Sequence, residues 1–305
     1  MKDTLILAHY YTVPEVQQMA DYVGDSLELA LKAVNEKPKR IIFAGVRFMA
    51  ETVKIMLPDT EVILPHADST CSLVTQTNLD DLKRWRDKYA DHAHVMYINS
   101  SAEMKTLADW IVTSRNVDDI VRHEYDRGNK VIFSPDRNMG EYLNYQYGYD
   151  MPVYNSVCVV HDAFKEEEIN YLLSEKSGWT DGPKYLIAHP ESPLPVLKRA
   201  NMVGSTSKML NWIKAFPHRT GTIFVATEEG LLYNMRTARP ELDIRPYTSY
   251  NGCQCNSCPY MKLNTVDLVW GATKGNTGVV IDYLNPEVVE QARKPIERML
   301  KFSGG

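Results

Sequence analysis

No stretch of this sequence approaches the ~18 consecutive apolar residues of a membrane-spanning helix. The short apolar run Leu5-Ile6-Leu7-Ala8 is ended by His9 and two tyrosines, too soon for a signal peptide. A cytoplasmic protein with no membrane partner is therefore expected. Basic residues are not in excess: 34 Lys and Arg face 39 Asp and Glu, a formal net charge of −5. A nucleic-acid partner would call for a basic face, so none is expected. Cysteine is scarce and odd in number, 5 in 305 residues. That does not suit a disulfide framework, and the thiols read as ligands, catalytic groups or buried packing. With only 16 Gly and 16 Pro and with 44% apolar residues, the chain is neither disordered nor fibrous. Its length suggests two or three domains.

What is present is an internal repeat. Strand-like runs ending in a polar side chain recur as Leu5-Ile6-Leu7-Ala8-His9, Val95-Met96-Tyr97-Ile98-Asn99 and Tyr185-Leu186-Ile187-Ala188-His189, so that His9, Asn99 and His189 stand 90 residues apart. A polar turn lies 15 residues after each: Gly24-Asp25-Ser26, Ser114-Arg115-Asn116 and Gly204-Ser205-Thr206. Further runs follow at 41–45, 131–135 and 222–226, then extended pieces at 62–65, 152–154 and 243–246. Cysteine comes soon after each extended piece, as Cys71, as Cys158 and as the group Cys253, Cys255 and Cys258. Between the runs lie stretches with helical spacing, such as 16–20 and 27–35, the latter capped by Asp25 or Ser26.

Near-continuous apolar strands alternating with helices predict parallel sheets covered on both faces. We read an α/β fold of three pseudo-symmetric three-layer αβα units around a central cavity, spanning 1–85, 86–172 and 173–262. Residues 263–305 then supply a strand, 279–283, and a helix after Pro286 that packs back on an earlier unit. The alternative is one doubly wound sheet with coincidental spacing, which three markers at one period disfavour.

In open parallel sheets ligands bind beyond the carboxyl ends of the strands, where these polar turns fall. Three units around a pseudo-threefold axis would each bring one thiolate to the same place. Structural zinc takes four protein ligands, and electron-transfer clusters usually take four cysteines. A [4Fe-4S] cluster on three cysteines leaves one iron free as a Lewis acid, which suits dehydration. The Cys258-Pro259 pair favours Cys258 over Cys253 and Cys255 as the third ligand. Against this, Cys71 and Cys158 could be small buried hydrophobes, and the CxCxxC group a local zinc site, although no histidine follows His218. Ser26, Ser114 (beside Thr113) and Thr206 sit where helix N-terminal amides and a hydroxyl can hold phosphate or carboxylate, or serve as plain caps. His9, His189 and Glu191 are acid and base candidates at strand ends. Tyr97 and Asn99 could orient a carboxylate, and His161 is the one further histidine placed to reach the cavity.

At these residues the chain resembles quinolinate synthase, the iron-sulfur enzyme of bacterial and archaeal NAD biosynthesis. The matching segments include 5–11, 24–30, 48–52, 97–100, 135–138, 189–191 and 203–206. The resemblance implies three α/β domains around a [4Fe-4S] cluster held by Cys71, Cys158 and Cys258. It implies a transferase or lyase type of reaction, the condensation of iminoaspartate with dihydroxyacetone phosphate to quinolinate, with loss of phosphate and water. It leaves room for a functional link to an enzyme that produces iminoaspartate. Substrate-binding positions fall on His9, Ser26, Tyr97, Asn99, Ser114, His189, Glu191 and Thr206, a proton-transfer tyrosine on Tyr11, and a catalytic carboxylate on Glu191. Tyr10 stands where asparagine is expected, on one side of the pocket. The spacing CxCxxC departs from the CxxCxxC of some relatives. The rival readings are an iron-sulfur or zinc sensing protein on the same scaffold and a metal-free sugar-phosphate isomerase.

Overall fold

The computed structural model describes residues 3–174, 182–247 and 256–304. Its strands form three sheets. The first holds β1 (Thr4–His9), β2 (Tyr22–Gly24), β3 (Arg40–Ala44) and β4 (Glu61–Leu64). The second holds β5 (Ala93–Tyr97), β6 (Trp110–Val112) and β7 (Val131–Ser134). The third holds β8 (Lys184–Ala188), β9 (Met202–Val203), β10 (Thr222–Ala226) and β11 (Asp243–Pro246). A last strand, β12 (Val279–Val280), joins the first sheet antiparallel to β4, and the other pairings are parallel.

Strand order is β2-β1-β3-β4, β6-β5-β7 and β9-β8-β10-β11, so each sheet places its first strand between its second and third. The register repeats too. Leu7 faces Tyr22, Val95 faces Trp110 and Ile187 faces Met202, each a step of 15 residues. Successive strand side chains point to opposite faces, yet Ile41, Ile42, Phe43 and Ala44 are all at most 1% exposed, so both faces of the sheet are covered by helices. The fold is α/β in the three-layer arrangement that such strands require.

The helices start where sequence chemistry supplies a cap. Ahead of Ser26–Glu36, the Asp25 carboxylate accepts the Glu28 N–H at 2.9 Å while Glu28 accepts the Asp25 N–H at 3.0 Å, a reciprocal capping box. Ser205 accepts the Lys208 N–H at 3.3 Å ahead of Thr206–Ala215. Each such cap is worth about 1 kcal/mol and holds the helix N-terminus at the strand ends.

Two expected strands are shorter than read. Segment 152–154 makes only an isolated bridge, Val153 to Phe133. It is pressed there by the helix Arg137–Tyr147, whose Gly140 has no room for a side chain: a Cβ would lie 2.5 Å from Val153 Cγ1. The tail strand covers Val279–Val280 rather than 279–283, although the Ile281 N–H still donates to the Val62 carbonyl at 2.9 Å. The helix Pro286–Phe302 packs on β6 and on the helices Arg47–Met56 and Ala102–Lys105, burying Ala292, Ile296, Met299 and Leu300 in a core shared by the first and second sheets. Just past it, Ser303 Oγ accepts from Asn116 Nδ2 at 2.8 Å, and Asn116 Oδ1 accepts the Thr113 N–H at 2.7 Å. Among the described residues, no helix is long and apolar enough to cross a membrane.

Candidate active site

The carboxyl ends of the strands converge on one pocket of about 730 Å3, counting its mouth, within the usual range for small-molecule sites. From the first sheet come His9 at the end of β1, Tyr11 two residues on, Ser26 after β2, and Cys71 at the start of the helix Ser72–Gln76. The second sheet contributes Tyr97 and Asn99 after β5, Ser114 after β6, and Cys158. The third contributes His189 and Glu191 after β8, Thr206 after β9, and Cys258. Every site residue read from the sequence therefore lines this one pocket. Cys71, Cys158 and Cys258 are free thiols. Cys253 and Cys255 lie outside the described residues.

The loops are tied to one another in pairs. Val159 N–H donates to Ser72 Oγ at 3.1 Å, joining the Cys71 and Cys158 loops, and Ser69 Oγ donates to the Tyr260 carbonyl at 2.9 Å, joining those of Cys71 and Cys258. The polar turns are tied likewise. Ser207 Oγ donates to Asp25 at 2.6 Å, Arg115 pairs with Glu28 at 3.0 Å, and Lys208 with Asp118 at 3.4 Å. The two ion pairs are partly exposed and contribute little energy, so they set geometry more than stability.

His9 and His189 sit in the same local turn. His9 Nδ1 accepts the Tyr11 N–H at 3.1 Å, and His189 Nδ1 accepts the Glu191 N–H at 3.4 Å, which leaves the proton on Nε2 in each ring. Burial lowers both pKa values to about 3, so both imidazoles are neutral near pH 7. Glu191 is buried as well, which by itself would raise its pKa. His161, His189 and a hydrogen bond from Tyr97 outweigh that and keep the carboxylate ionised. Burial, and next the Glu191 charge, hold the Tyr11 and Tyr97 phenols protonated.

A hydrogen-bonded chain crosses the pocket wall. Tyr11 Oη lies 2.8 Å from Thr227 Oγ1, Thr227 Oγ1 lies 3.0 Å from His161 Nε2, and His161 Nδ1 lies 2.7 Å from Glu191 Oε2. Thr227 and its neighbour Glu228 were not singled out in the sequence. Their signal was there, since they follow the run 222–226 at the same kind of strand end that marked His9 and His189. Tyr10 turns away from the pocket. Its ring packs with Ile187 and Met209, and its hydroxyl donates to Glu28 at 3.3 Å.

The thiols are poised for a cation rather than for free nucleophilic chemistry. Burial, then Glu191, raises Cys71 to about 12 and Cys158 well above the thiol range, and burial raises Cys258 to about 11. Only a bound positive charge would make thiolates of them. Among the described residues, Cys158, His161 and Glu191 form a group whose ligand atoms all lie within 4.8 Å of one another. Three thiols lining one pocket are one fewer than the four ligands of a closed structural zinc site, a donor count that suits a polynuclear centre with an open position.

Parallel sheets with a strand-end pocket of thiols, imidazoles, carboxylate and hydroxyls define an α/β enzyme with a small-molecule site whose donors are consistent with a metal cofactor. The chain matches the family model described as quinolinate synthetase A protein over residues 1–301, and it belongs to that family. It is similar to the quinolinate synthase of Microcystis aeruginosa, 39% identical over 301 residues that cover 99% of this chain and 91% of the relative. It is likewise similar to that of Gloeothece citriformis, 40% identical over 302 residues covering 99% and 90%.

Proposed function

We propose that this enzyme condenses iminoaspartate with dihydroxyacetone phosphate to quinolinate, with loss of phosphate and water, and so serves NAD biosynthesis. The observation that carries the reading is the meeting of Cys71, Cys158 and Cys258, one from the end of each repeat, in a pocket with the Ser26 and Thr206 hydroxyls at helix N-termini, the Ser114 hydroxyl in the turn before a helix, and the His9, His189 and Glu191 groups. A [4Fe-4S] cluster suits this donor set, because three partly buried thiols in one pocket would leave one of the four cluster irons without a protein ligand. When bound, the cluster supplies Lewis acidity at that iron.

The protein's own groups do the rest. Ser26, Ser114 and Thr206, with the helix amides behind them, hold the carboxylates and the phosphate of the two anionic substrates. Tyr97 and Asn99 orient a substrate carboxylate, and the neutral rings of His9 and His189 donate Nε2–H to it. Tyr11, protonated and hydrogen-bonded to Thr227, gives a proton to substrate and regains it along His161, whose charge Glu191 stabilises. Substrate filling the pocket displaces water from these groups and strengthens their mutual interactions.

An anaerobic preparation assayed together for iron, sulfide and quinolinate tests the reading. About four irons per chain with turnover, abolished by Cys71→Ser, Cys158→Ser or Cys258→Ser and largely retained in Cys253→Ser, is the expected result. A colourless protein that forms no quinolinate after supply of iron and sulfide would overturn it in favour of a sensing or structural metal protein.

A further inference from the structure

We infer that Cys158, His161 and Glu191 form a second metal site in the cluster-free chain, that it takes one zinc ion, and that this ion and the iron-sulfur cluster exclude each other. The last clause rests on the function proposed above, because it makes Cys158 a ligand common to both.

The three donors already stand together. His161 Nδ1 lies 3.1 Å from Cys158 Sγ and 2.7 Å from Glu191 Oε2, and all three ligand atoms fall within 4.8 Å of one another. In a tetrahedral zinc site with bond lengths of about 2.0 Å to nitrogen and oxygen and 2.3 Å to sulfur, neighbouring donors sit roughly 3.3 to 3.5 Å apart. The two edges at His161 need to open by only about half an ångström to admit the ion, and the edge from Cys158 to Glu191, within 4.8 Å, has to settle near 3.5 Å. Thiolate, imidazole and carboxylate together suit zinc, and three protein ligands with the fourth position facing a pocket is the open zinc arrangement.

The supporting contact is in place as well. His161 Nε2 is held by Thr227 Oγ1 at 3.0 Å, which orients Nδ1 toward the other two donors. Charge balances too. Zinc displaces the Cys158 thiol proton to solvent and replaces the Nδ1 proton of His161, which the neutral ring then carries on Nε2, facing Thr227 Oγ1. One thiolate and one carboxylate then neutralise the dication, so no net charge is left in a site where His161 and Glu191 are at most 3% exposed. Three thiolates around one zinc ion would instead leave a net negative charge.

Full-length, cluster-free protein titrated anaerobically with Zn2+ against a chromophoric chelator, and with Co2+ to read the thiolate-to-metal charge-transfer band, tests the site. One tight equivalent is expected. Loss of a direct ligand exceeds the 10- to 100-fold effect of a supporting contact, so His161→Gln and Glu191→Gln should weaken binding by about 100-fold or more. Cys158→Ser should remove the cobalt charge-transfer band, and Cys71→Ser should bind as the wild type does. Zinc-loaded protein supplied with iron and sulfide should stay colourless until a chelator removes the zinc. His161→Gln keeps all three cysteines, so its recovery of iron-sulfur absorbance shows that it is folded. A tight equivalent that survives His161→Gln, one that disappears in Cys71→Ser, or equal rates of cluster assembly with and without zinc would overturn the inference. The cobalt band and the Cys71→Ser arm decide the matter even if His161→Gln does not fold. Failure of the proposed reaction would show elsewhere, as absent quinolinate in reconstituted wild type, with the zinc titration unchanged.

Discussion

Lys262 Nζ stands 2.7 Å from Glu228 Oε1 and donates to the backbone carbonyl of Tyr11 at 2.9 Å. The same Glu228, fully buried, accepts the Cys258 N–H at 3.1 Å and the Gly230 N–H at 2.7 Å. One ammonium thus links the backbone of Tyr11 to the carboxylate that holds Cys258. Lys262→Met leaves that carboxylate without its counter-charge and should cost about 3–5 kcal/mol. The double variant Lys262→Met with Glu228→Gln should be more stable than Lys262→Met alone, since the amide needs no counter-charge. Urea unfolding compares them, and a double variant no more stable than the single one refutes the argument.

Thr227 is the single hydroxyl between Tyr11 and His161. Thr227→Val removes that link within a buried site and should lower quinolinate turnover by about 100-fold, the usual scale for a lost proton-transfer group. Thr227→Ser should retain most activity. Iron content measured on the same samples should match wild type, and a parallel loss of iron would mean that the effect is structural.

Lys105 is fully buried, and its Nζ donates to the carbonyl of Ile98 at 3.0 Å and to that of Ser100. These carbonyls flank Asn99, whose Nδ2 lies 3.7 Å from Cys71 Sγ. Burial lowers the Lys105 pKa to about 8 against the pull of Glu51 and Glu103. An unfolded lysine titrates near 10.4, so between about pH 8 and pH 10 the unfolded chain holds the extra proton and stability rises with pH. Unfolding free energies of wild type and Lys105→Met, measured across this window, should separate in favour of wild type as pH rises. A constant difference would count against a buried titrating lysine.

His94 gives the acid limb. It is buried, with Nδ1 2.9 Å from the Leu107 carbonyl and Nε2 2.7 Å from Ser134 Oγ, and burial lowers its pKa to about 4. The unfolded ring takes up its proton near pH 6.5. Stability is therefore lost as pH falls from about 6.5 toward 4, by at most about 1.4 kcal/mol per pH unit for this one group. His94→Gln should flatten that slope in a pH series of thermal unfolding, and an unaltered slope would assign it to other groups.

The strand runs and the 15-residue step from strand to turn were legible in the sequence because buried parallel strands are apolar throughout and end in polar residues. That regularity marks His9, Asn99 and His189 in the sequence alone. The strands β2, β6 and β9 were not legible, since two or three residues carry no measurable period. Tyr10 shows a signal that was present but unused. Neighbours at a strand end face opposite ways, so a pocket that takes His9 and Tyr11 leaves Tyr10 for the opposite side. Contacts such as Ser69 with Tyr260, and Lys262 with Tyr11, join loops distant in sequence and leave no local trace.

The latch between Ser303 and Asn116 fixes a temporal order. Thr113 and Ser114 leave the ribosome long before Ser303, so a nascent chain carries that turn unclamped until residue 303 has been made. A polypeptide interrupted shortly before that point would retain every group named in the pocket and still lack the brace on one of its three walls.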